Sequence, residues 1–239
     1  MNTPLQKIWK KLLHLRLRPI RVFCLHHVCA SYDASYMYKC DWMQIDEFRR
    51  TVHNMQNKGV VFISLTDAYH HICNDWIRRE RYAVLTFDDG YASLKEILPW
   101  LEEQHIPVTL FINGKYLDGK SYRDNPKEQY LTNDELFRLT SPLIEIGSHG
   151  WEHIDACHMS ILTFKESVVK NIELLQAHPR YIPFYAYTYG NHMLQEDVFL
   201  KSKYLVPVFV SGEKNYNNFN YIDRELLKIS NDISRSTSI

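Results

Sequence analysis

No run of apolar residues in this sequence approaches the roughly 18 that a membrane-spanning helix requires, so no spanning helix is expected. The N-terminal stretch MNTPLQKIWKKLLHLRLRPIRVF also lacks an uninterrupted apolar segment of about 7 to 15 residues and does not read as a secretory signal. Five cysteines, Cys24, Cys29, Cys40, Cys73 and Cys157, form no CxxC pair. An odd, scattered set suits free thiols in a reducing compartment better than a disulfide framework. The expected location is therefore cytoplasmic. Net charge is missing too: 28 basic side chains balance 28 acidic ones, so no overall field draws in nucleic acid. No repeat with a period of about 20 to 50 residues and no low-complexity tract is visible.

The charge that is present is unevenly spread. Six basic residues, Lys7, Lys10, Lys11, Arg16, Arg18 and Arg21, precede the first acid, Asp33, and leave the remainder six charges negative. Leu5, Ile8, Trp9, Leu12 and Leu13 fall on one helical stripe among them, so residues 1–20 read as a basic amphipathic helix. Such a helix can pack its apolar side on the domain, the commoner fate, or make peripheral contact with an anionic membrane surface. Residues 21–239 read as one domain, since barrels of roughly 200 to 250 residues are often single units.

Short β-rich runs recur at 21–27, 60–65, 82–87, 107–112, 143–148, 184–189 and 204–210. Periodic helical patterns lie between them at 45–57, 92–104, 160–177 and 192–203, the first closed by Asn57-Lys58-Gly59. This alternation implies parallel βαβ units and an α/β fold, a distorted or incomplete (β/α)7 barrel, with an open doubly wound sheet as the alternative. Residues 117–129 and 211–220 read as long polar loops.

A barrel places its reactive residues where strands end, at the C-terminal face. The run AVLTF ends there in Asp88, Asp89 and Gly90. Two adjacent carboxylates at the edge of a core resist joint ionisation unless a positive charge is close. His149 and His153 lie just past the run 143–148, and histidines four apart can reach one divalent ion. Two imidazoles and one carboxylate form a three-ligand set that leaves a position for water.

These residues resemble a known family. TFDDGYAS, at 86–93, is similar to the first signature of the polysaccharide deacetylases with a NodB-homology domain, carbohydrate esterase family four. HGWEH, at 149–153, resembles their H(S/T)xxH signature, and FYAYTYG, at 184–190, resembles the FAYPYG form of the third. CLHHV, at 24–28, looks like the YHxV segment of the branch containing poly-N-acetylglucosamine deacetylases. With FISLTDAY at 62–69, the likeness covers about residues 21–210.

The resemblance implies a NodB-type barrel that removes acetyl groups from an N-acetylated carbohydrate. It implies that Asp89, His149 and His153 bind a divalent metal and that Asp88 is the catalytic base. Tyr189 would offer its backbone NH to the oxyanion, and His26 would protonate the departing amine. Strand alternation puts Val22, Cys24 and His26 on one face, which favours His26 over His27 for that role. Zinc suits such donors first, with nickel, cobalt and iron also accommodated.

Four departures stand out. Thr188 replaces the family's proline, which lessens local rigidity, and Ala186 replaces the arginine that orients the base in many members. Gly150 stands where Ser or Thr is usual, and the C-terminal LxH signature has no clear counterpart near Leu227-Lys228-Ile229-Ser230. Trp151, Tyr91 and Tyr187 are candidates for stacking on a sugar, although packing is at least as common a role. The competing readings are a non-catalytic glycan-binding or scaffold protein on the same fold and hydrolysis of a non-sugar amide.

Overall fold

The strands form where β-branched and aromatic residues alternate, and their alternation decides which side chains enter the barrel. The computed structural model describes residues 17–31, 42–75, 77–118, 129–217 and 220–227. Ten strands are found there: β1 (Arg21–Leu25), β2 (His27–Cys29), β3 (Trp42–Gln44), β4 (Val60–Phe62), β5 (Arg81–Phe87), β6 (Val108–Ile112), β7 (Ile144–Ser148), β8 (Tyr181–Ala186), β9 (Val206–Val210) and β10 (Ile222–Leu226). Seven pair in parallel in the order β1-β10-β9-β8-β7-β6-β5, and β5 closes the ring on β1 with Arg21 opposite Ala83 and Leu25 opposite Phe87. The result is a seven-stranded parallel barrel with surrounding helices. β2 and β3 form a separate two-stranded parallel sheet.

The helices between the strands are α1 (Ile45–Asn57), α2 (Leu65–Asn74), α3 (Leu98–Glu103), α4 (Asn133–Phe137), α5 (Ile161–Leu175) and α6 (Leu194–Ser202). α1 starts where the Gln44 side chain accepts from the amides of Asp46 and Glu47, at 2.7 and 3.0 Å. It buries Ile45, Phe48, Val52 and Met55 at helical spacing. Each such side chain contributes roughly 1.5 to 3 kcal/mol when fully buried. Two residues beyond the end of α1 lies Gly59, whose φ of +75° is a conformation glycine adopts without a Cβ clash.

Inside the ring, Val22, Val84, Phe111, Phe184, Ala186, Val208 and Ile222 pack with Leu65, Ala68 and Ile72 of α2. Outside it, Phe23, Leu25, Leu85 and Phe87 pack with Phe48 and Val52 of α1. Glu145, on β7, is buried and accepts from the Leu65 amide at 3.0 Å and the Thr109 hydroxyl at 3.0 Å. Its charge thus sits at the N-terminus of α2, where a helix stabilises an anion. Further along the strands the inward positions turn polar: Thr86, Asp88, Cys24 and Arg224. That change of polarity sets the site at the C-terminal mouth.

The seven strands of the ring are not the seven read from the sequence. β4 lies outside it, paired only with Arg81–Ala83 of β5. β10 takes the last place, a segment that carries Asp223, Arg224 and Glu225 in a row and so has no apolar run to mark it. Residues 17–20, expected as the end of a helix, instead make bridges from Leu17 to Arg78 and from Ile20 to Asn215. Pro19 lacks the amide a helix interior uses. The rest of that expected helix, residues 1–16, lies outside the described residues, as does most of the loop expected at 117–129. Among the described residues, no helix is long and apolar enough to cross a membrane.

Candidate active site

β5 delivers the two carboxylates and then turns sharply. The Asp88 amide donates to the Leu25 carbonyl at 2.9 Å, which extends the β1 ladder by one residue. Asp89 and Gly90 then adopt left-handed conformations, φ 69° and 76°. A Cβ at Gly90 would also lie 2.9 Å from Ile112 Cδ1, so glycine meets both the torsion and the space. The turn sends the neighbouring side chains to different partners.

Asp88 faces Arg224 of β10. The guanidinium donates to Oδ1 at 2.6 Å and to Oδ2 at 2.8 Å, a two-pronged pairing of buried groups. Arg224 also donates to the Thr86 hydroxyl at 3.0 Å, and that hydroxyl donates to the Phe23 carbonyl at 2.8 Å. Burial alone would raise the Asp88 carboxyl. The Arg224 charge, with smaller contributions from His149 and His26, outweighs it and holds the group at about 2, against 3.8 for an ordinary aspartate. Asp88 therefore stays ionised at neutral pH. The gap left by Ala186 is filled from another strand, and Arg224 is a site residue that the sequence reading missed.

Asp89 faces the histidines. Its Oδ1 lies 3.5 Å from His149 Nε2 and 3.3 Å from His153 Nε2. Bonds of about 2.1 Å directed tetrahedrally from one ion put donors about 3.4 Å apart, so these spacings suit a single divalent cation. His149 Nδ1 lies 2.8 Å from the Ala186 carbonyl, which only accepts, so Nδ1 carries the proton and Nε2 keeps its lone pair toward Asp89. Burial presses the His149 imidazole below its usual pKa, against the pull of Asp88 and Asp89, and favours the neutral form a metal needs.

The histidines meet on a loop, not a helix. Asn113 Nδ2 donates to the carbonyls of His149 at 2.6 Å and Gly150 at 3.1 Å. Asn171, on the buried face of α5, donates to the Ile112 carbonyl at 2.9 Å and the Ser148 hydroxyl at 2.8 Å. It also accepts from the Gly114 amide at 2.8 Å. The Trp151 amide donates to Ser167 Oγ at 2.9 Å. Gly150 has φ +80°, and a Cβ there would lie 3.0 Å from Tyr185 Oη. A serine or threonine would be strained on this backbone.

The end of β8 repeats the device of β5, with Tyr189 and Gly190 left-handed at φ 59° and 72°. Thr188 is buried and its hydroxyl donates to the Ile154 carbonyl at 2.5 Å. A hydrogen bond thus ties this turn to the histidine loop where the family uses proline. Tyr189 is half exposed beside the cavity, its ring 4.5 Å from that of His153. His26 follows β1 and also lines the cavity, which measures 240 Å³ and holds Asp88, Asp89, His149, His153 and Tyr189 as well. The six sequence-predicted site residues are therefore brought together.

His27 points elsewhere, buried, 3.0 Å from Ser93 Oγ and stacked on Tyr91 at 3.9 Å. Tyr91 also stacks on Tyr130 and packs, while Tyr187 is buried, its hydroxyl donating to Asp197 at 2.8 Å, and also lines the cavity. The Trp151 face is covered by Lys170 Nζ at 4.0 Å. The position of the LxH signature falls on residues 227–230, of which only Leu227 is described.

A family model for polysaccharide deacetylase matches residues 77–203, more than half of the 239-residue chain. No curated protein matches the sequence significantly. Among solved structures, the chain is similar to IcaB from Ammonifex degensii, with a TM-score of 0.76 and 18% identity over 88% of this chain and 92% of that one. It is also similar to Streptococcus pyogenes deacetylase PplD in complex with acetate, with a TM-score of 0.73 and 16% identity over 93% of this chain and 100% of that one. A de-N-acetylase from Aggregatibacter actinomycetemcomitans gives a TM-score of 0.69 at 16% identity, over 87% and 95%. At these identities the structures establish the fold alone.

Proposed function

This chain belongs to the polysaccharide deacetylase family, and from that premise we propose that it is a metal-dependent hydrolase that removes the acetyl group from an N-acetylated sugar. The observation supporting this reading is that one cavity holds both a donor set spaced for a single ion and, beside it, a carboxylate kept ionised by Arg224.

Asp89, His149 and His153 hold the divalent ion, with zinc the default for two nitrogens and one oxygen. When bound, the ion supplies Lewis acidity toward a water molecule and the acyl oxygen. Asp88 takes the proton of the attacking water, assistance worth on the order of 10² to 10⁴ in rate. Arg224 fixes the orientation of that carboxylate through its two hydrogen bonds. The Tyr189 amide donates to the oxyanion, a contact worth roughly 3 to 4 kcal/mol. His26 delivers a proton to the nitrogen as the C–N bond breaks, so acetate and a free amine leave.

The test is acetate release from N-acetylglucosamine oligomers by the metal-loaded protein. Release is expected to stop on chelation and in Asp88→Asn, while Asp88→Asn still binds metal. A metal-loaded protein inert toward every N-acetylated sugar tried would contradict the proposal.

A further inference from the structure

Among the described residues a second trio of unlike donors converges in the same cavity. Cys24, His26 and Asp88 each present one ligand atom, all within 4.8 Å of one another. Cys24 comes from β1, His26 follows it by two residues, and Asp88 comes directly after β5. Cys24 and Asp88 are buried, His26 is partly exposed, and all three line the cavity. The Cys24 thiol already donates to Asp88 Oδ2 at 3.4 Å. That oxygen also lies 3.8 Å from His149 Nε2, so the Asp88 carboxylate stands between this trio and the first donor set.

We propose that Cys24, His26 and Asp88 form a second cation site, selective for thiophilic divalent ions such as zinc, cobalt or cadmium, whose occupation switches hydrolysis off. The inhibitory effect rests on the function proposed above; the binding itself does not. Sulfur, imidazole and carboxylate together suit zinc and softer ions and disfavour magnesium and calcium. On binding, the Cys24 S–H bond breaks, a sulfur–metal bond forms and the proton passes to solvent. The ion then occupies both the carboxylate that must accept a proton and the imidazole that must donate one.

This site is the weaker of the two. The Arg224 guanidinium already donates to both oxygens of Asp88, at 2.6 and 2.8 Å, so an incoming cation meets a fixed positive charge at close range. The other members of the Asp89 set are two imidazoles, whereas the two-pronged guanidinium pairing falls on Asp88. Filling therefore proceeds in order: the first equivalent activates, and excess ion inhibits.

The experiment is a stepwise cobalt titration of the whole metal-stripped protein, followed by absorption. The first equivalent is expected to bind without a thiolate-to-cobalt charge-transfer band, because its donors are nitrogen and oxygen. The weaker second equivalent brings the band, and Cys24→Ser abolishes it while retaining the first equivalent, which also reports that the variant is folded. In a parallel zinc titration of acetate release, activity rises and then falls. In Cys24→Ser, scaled to its own maximum, the fall moves to zinc concentrations roughly tenfold or more higher. The proposal is overturned if no band appears after the first site is filled, or if Cys24→Ser gives the same band. Absent acetate release at every zinc level, with the band present and dependent on Cys24, would refute the proposed function and leave this site standing.

Discussion

Asp88 and Asp89 are adjacent in the chain and almost equally buried, 3% and 2% exposed, yet they face opposite chemical demands. Asp88 meets a permanent cation from within the fold, Arg224, and is electrically complete. Asp89 meets two imidazoles, one of them kept neutral by burial, and completes a donor set spaced for one divalent ion. The left-handed turn at Asp89 and Gly90 is what separates them. The difference teaches that in a like-charged pair, the role of each carboxylate is set by the source of its counter-charge. The carboxylate neutralised internally is the one that the proposed function assigns to proton transfer. Its neighbour faces the two imidazoles and is the one the proposed function assigns to the metal.

The most forceful way to break this comparison is to remove the internal cation. Arg224→Met leaves Asp88 buried without its partner, and denaturant unfolding is expected to show a loss of about 3 to 5 kcal/mol. Asp88→Asn in the same chain should restore a good part of that loss. If Arg224→Met alone unfolds like the parent, the pairing is not what holds the Asp88 charge.

A smaller effect comes from pH. The Asp88 carboxyl is held at about 2 in the fold and titrates near 3.8 when unfolded. A depressed acid stabilises the fold above its unfolded pKa and loses that contribution as pH falls through its folded one. The metal-free protein should therefore lose roughly 2 kcal/mol between about pH 4 and pH 2. Asp88→Asn should flatten this part of the stability profile; an unchanged slope would place the acid sensitivity elsewhere.

The smallest expected change sharpens the geometry of the histidine loop. Thr188→Val removes the hydroxyl that donates to Ile154, which should lower stability by about 1 kcal/mol and raise KM and lower kcat together as the two turns lose register. A variant indistinguishable in both would show that Thr188 does not replace the proline restraint.

Much of this site was legible because its parts are local. TFDDG marks itself as a strand running into a turn, HGWEH carries its spacing within five residues, and the apolar stripe of α1 follows the helical period. The counter-charge was not legible. Arg224 pairs with Asp88 across 136 residues, from a strand whose charged sequence, IDREL, hides its inward face until closure of the ring shows Ile222 and Arg224 pointing in together. The tether from Thr188 spans 34 residues and the support from Asn171 spans 59, distances at which no periodicity survives. The sequence pattern likewise could not show that Gly150 is required by a left-handed backbone. The short strand β4 was readable as a strand but not as one excluded from the ring.

The most direct measurement is the number of metal equivalents bound tightly by the parent, Asp88→Asn and Asp89→Ala proteins, determined by equilibrium dialysis with elemental analysis. The division of labour described here predicts one tight equivalent in the parent and in Asp88→Asn, and none in Asp89→Ala. Tight binding that survives in Asp89→Ala but disappears in Asp88→Asn would contradict it.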